Sequence, residues 1–278
     1  MADKKTATIV VATHKPYRMP ADPIYQPLFV GACARRDEAD ELEDLGYAVD
    51  DSGDNISAKN PRYSELTAMY WAWKNVDSDY IGLAHYRRHF AGRHYRKILG
   101  DPFSKVLSGK ELRFLMGKAR IIVPVQQNYY IETLYSHYEH THYIDQLDET
   151  RAIIAQRCPE YLDSYDRIVQ QTHGCMFNMM IAERELFGEY CEWLFGILEE
   201  LEERIDESSL NAFEARFYGR VSEIIFNVWL DRQFESGRLQ RSDVREIPYI
   251  YMERINWIKK GGSFLQAKFF HKKYGRSF

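Results

Sequence analysis

The sequence predicts an α/β protein built on a parallel sheet, with a helical section in its later half. Three observations carry this. Short apolar runs rich in β-branched residues recur at residues 8–12 (TIVVA), 80–84 (YIGLA) and 119–125 (ARIIVPV). Such runs fit strands buried on both faces. Polar clusters follow each run directly, so a parallel sheet would gather them along one edge, where α/β proteins hold ligands. Finally, long amphipathic helical patterns fill residues 185–205 and 217–234.

At 278 residues, 45% hydrophobic and 28% charged, the chain can bury one substantial core without being forced into two domains. A net charge of -4 and a pI near 6.2 argue against a nucleic-acid partner. The N-terminal stretch MADKKTATIVVATHKP has too short an apolar run for a signal peptide. No stretch approaches the roughly 20 apolar residues of a membrane span. Cys33, Cys158, Cys175 and Cys191 are far apart with no CxxC pair, so a reduced compartment, the cytoplasm, is expected.

Taken in order, the first strand at residues 8–12 ends in Thr13, His14 and Lys15, and Pro16 stops it. Residues 35–45 (RRDEADELEDL) read as a solvated surface segment. Residues 50–61 (DDSGDNISAKNP) concentrate turn-forming residues, and their Asp and Asn side chains suit ribose hydroxyls or a base edge as well as their own backbone. A helix follows over residues 63–75, with Leu66, Met69, Tyr70 and Trp73 at the spacing of a buried face and Ser64 as a possible cap. Trp73 reads as packing. After the strand at 80–84 come His85, Tyr86, Arg87, Arg88 and His89 as a charged loop. Residues 93–118 read as a basic, mobile insertion with one short helix, Gly109–Met116. The strand at 119–125 is followed by Gln126, Gln127 and Asn128.

Residues 129–171 read as helices rich in Tyr and His, and residues 173–181 (HGCMFNMMI) as a strand. The helix at 185–205 carries an apolar stripe of Phe187, Tyr190, Cys191, Leu194, Leu198, Leu201 and Ile205. The helix at 217–234 carries Arg220 and Glu223 near its start, and residues 247–252 are a last strand. The tail, residues 254–278, interleaves seven Lys and Arg with bulky apolar side chains and no acid. That mixture suits an anionic membrane surface, each basic residue contributing about 1 kcal/mol near it. A docked basic terminus is the plainer reading.

Among clusters that carry chemistry, His85 to His89 is the strongest. Two adjacent arginines crowd unless something anionic faces them, and guanidinium groups bind phosphate in bidentate fashion. The plain alternative is that they serve Asp77 and Asp79. His137, His140 and His142 do not form a defensible zinc motif, and His85 and His89 are separated by two arginines that repel a cation. There is no Walker A motif, since the SGK at Ser108 lacks its upstream glycine, and no GxGxxG or GxSxG. Asp77-Ser78-Asp79 has the letters of a metal-holding DxD but precedes its strand, at the wrong end for a diphosphate. Arginines would then neutralise a leaving diphosphate in place of a divalent ion.

Five blocks carry a resemblance: DNISAKNPRYSELTAMYWAWKN, DYIGLAHYRRHF, RIIVP, YCEWLFGIL and RVSEIIF. Together they resemble the bacterial glycosyltransferase family of capsular and exopolysaccharide biosynthesis proteins, long labelled a domain of unknown function. The match spans roughly residues 8–230, and its first two blocks are the specific ones. The late motif of that family has Gly beside its Arg; here Gly219 precedes Arg220 and Val221 follows.

The resemblance implies a GT-A-like α/β fold, a mixed nucleotide-binding sheet flanked by helices with a helical C-terminal part. Residues 1–253 would form a single domain, helical over about 129–235, followed by the tail at 254–278. It implies a nucleotide-sugar donor, with UDP-galactofuranose one candidate, and a glycan or lipid-linked glycan acceptor. Thr13, His14 and Lys15 would flank the nucleotide. Asp54, Asn55, Lys59 and Asn60 would line the donor pocket, with Tyr63 and Glu65 at its edge. His85, Tyr86, Arg87 and Arg88 would face the diphosphate, and Arg220 and Glu223 would approach from the helical side. Deprotonating an acceptor hydroxyl takes a carboxylate, with Glu223 the first candidate, Glu65 the second, and His85 a further acid–base group. For Glu223, a helical ion pair with Arg220 is the plain alternative. No cofactor is expected, although Mn or Mg is not excluded. The expected protein is a transferase peripheral to the inner leaflet of the cell membrane, held there by its tail. A transferase of another phosphate-bearing group and a non-catalytic glycan-binding or assembly protein are the alternatives.

Overall fold

The computed structural model describes residues 5–96 and 100–253. In chain order the elements are β1 (Ala7–Thr13), β2 (Tyr25–Phe29), α1 (Arg36–Asp44), β3 (Ala48–Val49), α2 (Asn60–Tyr63), α3 (Leu66–Asn75), β4 (Tyr80–His85), β5 (Arg88–Phe90), α4 (Gly109–Met116) and β6 (Ile121–Pro124). There follow β7 (Gln127–Asn128), α5 (Leu134–Thr141), α6 (Asp145–Arg157), α7 (Leu162–Val169), β8 (His173–Gly174), β9 (Met180–Glu183), α8 (Arg184–Arg204), α9 (Phe217–Glu235), β10 (Val244–Ile247) and β11 (Tyr249–Tyr251).

Two compact units share the chain. Of the described residues, the first takes 5–96, 100–125, 177–192 and 239–252; the second takes 126–176, 193–238 and 253. The predicted membrane-binding tail, 254–278, lies outside the described residues.

The first unit holds the main sheet, in the order β10-β6-β9-β4-β1-β2-β3. β3, β2, β1 and β4 are parallel neighbours, β9 runs antiparallel to both β4 and β6, and β10 is parallel to β6. The sheet is therefore mixed, with β9 reversed along this order and β5, off it, antiparallel to β4. Ile9, Val10 and Val11 of β1 are fully buried, as a central strand covered on both faces requires. Apolar groups from both sequence ends meet in this core, where Tyr80, Phe90, Leu112, Ile122, Ile181 and Ile247 pack together.

Three sequence expectations need correcting here. The helix expected over residues 63–75 is broken: α2 ends at Tyr63, Ser64 has φ 51°, and α3 begins at Leu66. The Asn60 amide donates to the Ser64 carbonyl at 2.9 Å and to Thr67 Oγ1 at 3.1 Å, a local alternative to helical bonding. Within α3 Trp71 is the buried tryptophan, donating to Ser52, whereas Tyr70 and Trp73 lie at the edge in a T-shaped pair. Residues 35–45 are not merely a solvated segment but contain α1, with Ala39 and Leu42 buried against Phe29 and Val49. The single strand expected over residues 173–181 is two short strands, β8 and β9, separated by Phe177 at φ 79° and Asn178 at φ 52°.

The second unit is helical, with α5, α6, α7 and α9, the later turns of α8, and the small β7–β8 ladder. Asn227 on α9 accepts from the Cys175 N–H at 2.7 Å and donates to the Cys175 carbonyl at 2.9 Å, pinning the chain after β8. Among the described residues no helix is long and apolar enough to cross a membrane.

Candidate functional site

The C-terminal ends of β1, β2 and β4 lie along one edge of the first unit's sheet, because Thr13 is in register with Phe29 and Ala12 with His85. β9 runs the opposite way, so the segment entering it, Phe177 and Asn178, reaches the same edge. Thr13 is buried, and its hydroxyl donates to the Lys15 carbonyl at 2.7 Å to close the turn after β1. Lys15 sits over the rings of Tyr17 and Tyr86, at 5.7 and 5.3 Å, and His14 meets Tyr86 edge-on. Residues from the first two polar clusters are thus in contact.

The turn after β3 is built on Asp50. Its fully buried carboxylate accepts from Gly31 N (2.9 Å), Ala32 N (3.0 Å), Ser57 Oγ (2.5 Å) and Thr67 Oγ1 (2.7 Å). Four donors satisfy a carboxylate that would otherwise be costly to bury. Several residues expected to line a donor pocket also serve this turn. Asn55 donates to the Gly53 carbonyl and accepts from Ser57 N, while Asp54 accepts from the Tyr70 hydroxyl and its backbone is held by Asn75. Asn60 packs so close to Gly31 that a Cβ there would lie 2.6 Å from its Oδ1. Lys59 lies over the ring of the buried Tyr63 at 5.2 Å.

The charged loop expected after β4 is instead a tight hairpin. His85 pairs with Arg88 across antiparallel β4 and β5, leaving Tyr86 and Arg87 at the turn. This separates the two arginines. Arg87 is exposed, with its guanidinium 5.3 Å from the Tyr86 ring. Arg88 is half-buried between Phe177, at 3.7 Å, and Tyr251, at 4.8 Å. Its buried Nε has no hydrogen-bond partner among the described residues, and no carboxylate pairs with it. Asp77 is instead paired with Arg184, and Asp79 accepts from Thr6 N and Oγ1 at the opposite end of β4. The arginines therefore do not serve those acids, and Asp77-Ser78-Asp79 is not placed to hold a metal at this edge.

Beside Arg88 stand His85 and Glu65. His85 Nε2 lies 2.6 Å from the Phe177 carbonyl, which only accepts, so the ring proton sits on Nε2. Burial pushes the His85 pKa down. The Glu65 charge opposes this, Arg88 adds to it, the Phe177 bond opposes it and Arg87 adds to it, with a net lowering that favours a neutral ring. The Asn178 amide donates to Glu65 Oε1 at 2.7 Å. Glu65 is half-buried just ahead of α3, and its Oε2 makes no hydrogen bond among the described residues. Sequence reasoning missed Phe177, Asn178 and Tyr251 as parts of this edge, and it included Asp50 only within the turn at 50–61, without its role in holding that turn together. Only Asp50 leaves a sequence signal, as the head of a Gly/Asp/Asn turn.

Arg220 and Glu223 belong to α9 in the second unit. Arg220 lies 4.2 Å from the Phe213 ring and donates to the Phe213 carbonyl at 2.8 Å. In the same unit the buried Glu132 accepts from Nδ1 of both His137 and His140 at 2.9 Å. Burial alone raises the Glu132 carboxyl, but these two bonds outweigh it and hold it below its usual value. Among the described residues no cluster of three or more His, Cys, Asp or Glu forms a metal centre.

Comparison with known proteins places the chain in a family. A solved structure of the apo WbbM bifunctional glycosyltransferase is similar to this chain, at 30% identity and a TM-score of 0.77. The similarity covers 90% of this chain and 46% of WbbM, so the chain spans a little under half of that protein. The shared mixed sheet flanked by helices is the GT-A-like fold. No curated protein matches the chain. The model of the family described as "Domain of unknown function (DUF4422)" matches residues 8–234, and the chain belongs to that family.

Proposed function

We propose that the chain is a glycosyltransferase that moves a hexose from a nucleoside diphosphate to a hydroxyl of a bacterial surface glycan. The observation that carries this is Arg88, a half-buried guanidinium whose buried Nε has no partner and which has no carboxylate partner among the described residues, at the edge of the sheet where α/β proteins hold ligands. A diphosphate supplies the anion that the fold leaves out. Arg87 at the hairpin tip and Lys15 add positive charge from the same unit. The likeness to WbbM supports the same reaction class.

In the proposed reaction a carboxylate takes the acceptor hydroxyl proton as the acceptor oxygen bonds the anomeric carbon. The bond from that carbon to the diphosphate breaks, and the electron pair leaves on the diphosphate facing Arg88. Glu65 fits the base better than Glu223, because one of its oxygens is anchored and the other makes no hydrogen bond among the described residues. His85, with Nε2–H committed to the Phe177 carbonyl, anchors the wall of the site rather than exchanging protons through that nitrogen. Fixed arginine charge takes the part that a divalent ion plays elsewhere. The Asp54-to-Tyr63 turn would hold the nucleotide side, UDP-galactofuranose is a candidate donor, and the tail at 254–278 would hold the protein at the inner leaflet beside a lipid-linked acceptor.

Calorimetry with UDP tests the reading. Wild-type protein should bind it and Arg88→Ala should not. A wild-type chain that binds no nucleoside diphosphate in a panel of UDP, GDP, CDP and dTDP would remove the proposal.

A further inference from the structure

Two consecutive non-glycine residues, Phe177 and Asn178, occupy the left-handed region one residue before β9. That backbone is unfavourable for a side chain as bulky as Phe and persists only where the surroundings impose it. Here each residue has a partner at the candidate site. The Phe177 carbonyl accepts the His85 Nε2 proton, and its ring covers Arg88 at 3.7 Å. The Asn178 side chain, 7% exposed, reaches Glu65 Oε1 at 2.7 Å. The turn thus ties the diphosphate side of the site to the carboxylate side.

We propose that Asn178 is a positioning residue for acceptor activation, its amide fixing Glu65 Oε1 so that Oε2 receives the acceptor proton. This rests on the reading of Glu65 as the base. Asn178 itself exchanges no proton: the hydroxyl proton passes to Oε2, the acceptor oxygen bonds the anomeric carbon, and the diphosphate departs with the electron pair. The residue type fits the task. A neutral amide orients a carboxylate without neutralising it, as Lys or Arg would, and without repelling it, as Asp would. Charged or titratable groups of the same cluster include His85 on β4, and Arg87 and Arg88 on the hairpin that follows it.

Two variants test this without disturbing the backbone. Asn178→Gly accepts φ 52° freely and removes the amide, and Asn178→Asp keeps the shape but sets a second carboxylate against Glu65. The reaction measured is turnover of whichever UDP-, GDP-, CMP- or dTDP-sugar raises the melting temperature most. Asn178→Gly should lower kcat about 10- to 100-fold with donor KM and UDP affinity unchanged, a part of the roughly 10²- to 10⁴-fold that a positioned general base contributes. Asn178→Asp should move the acid limb of the kcat/KM profile to higher pH by about one unit. Wild-type kcat in Asn178→Gly, or UDP affinity falling in step with kcat, overturns the inference while leaving the transferase reading intact. Full activity in Glu65→Gln also overturns it, and a wild-type chain that binds no nucleotide overturns both.

Discussion

Arg88 and Tyr251 are register partners across the antiparallel β5–β11 pair, and the guanidinium carbon lies 4.8 Å from the tyrosine ring centre. Phe177 covers the same guanidinium at 3.7 Å. The neighbouring Arg87 has a different setting, exposed at the hairpin tip with its guanidinium 5.3 Å from the Tyr86 ring. A two-residue turn thus converts adjacent, chemically identical side chains into one stacked, water-poor cation and one exposed one. Contact with the two rings leaves the N–H donors of the planar guanidinium as the part that binds an anion.

That geometry separates Arg from Lys. Arg88→Lys keeps the charge but loses the planar fork and the stack between two rings. UDP binding by calorimetry should weaken about tenfold or more, equivalent to roughly 1.4 kcal/mol. Tyr251→Leu should cost less, about two- to fivefold, since a single cation–π contact is worth about 0.5–1 kcal/mol. Undiminished affinity in Arg88→Lys would rule out a bidentate contact to the diphosphate.

Asp50 is a stability residue for the same edge. In Asp50→Asn one acceptor oxygen becomes an NH2 group facing donors, either Gly31 N and Thr67 Oγ1 or Ala32 N and Ser57 Oγ. Unfolding free energy from urea titration should fall by roughly 2–4 kcal/mol, the range for breaking buried hydrogen bonds to a charged group. A loss below about 0.5 kcal/mol, the scale of a surface change, would mean the four bonds are not maintained in solution.

The parts of this architecture that depend on local pattern were legible in the sequence. β1, β4 and β6 announce themselves as β-branched apolar runs, and Ser108 with Glu111 forms the capping box that opens α4 where expected. What could not be read depends on partners distant in the chain. The Asp50 carboxylate is satisfied by donors at 31, 32, 57 and 67, and Glu65 meets Asn178 across 113 positions. Within HGCMFNMMI the positive φ of Phe177 and Asn178 leaves no mark, because apolar residues flank the pair and imitate a continuous strand. The hairpin at Tyr86–Arg87 was hidden likewise, since Tyr-Arg is not among the usual two-residue hairpin turns.

In the second unit, Asn227 uses both ends of its amide on one backbone residue, Cys175, and also donates to the Glu223 carbonyl at 2.8 Å. Asn227→Asp preserves the volume but sets a carboxylate oxygen against two carbonyl oxygens. Thermal or urea unfolding should show a loss of roughly 2–3 kcal/mol near neutral pH, in line with a buried polar group left unsatisfied. The loss should shrink at acid pH, where a protonated Asp can donate again. An equal loss at both pH values would mean that the charge is not the cause.

His89 sets an acid limit on the fold. It is fully buried between Tyr25 and Phe103, and neither ring nitrogen has a hydrogen-bond partner among the described residues. Burial first, and then the charge of His85, push its pKa down to about 4 against a weaker opposing pull from the Tyr86 backbone, which lies outside good hydrogen-bond geometry. The folded value lies below the unfolded one, so the group has no effect above about pH 6.5, where both states are neutral. As the pH falls from there towards 4, the unfolded chain gains a proton that the folded chain refuses, and stability drops by roughly 1.4 kcal/mol per unit. Comparing urea unfolding at pH 7.5 and 4.5, His89→Phe should recover about 2–3 kcal/mol of the stability that the wild type loses. The neighbouring His85, lowered in the same direction, would retain its own share of the acid sensitivity. If the variant and the wild type lost the same stability over that interval, His89 would have to be protonated in the folded protein, and the dry pocket around it would be wrong.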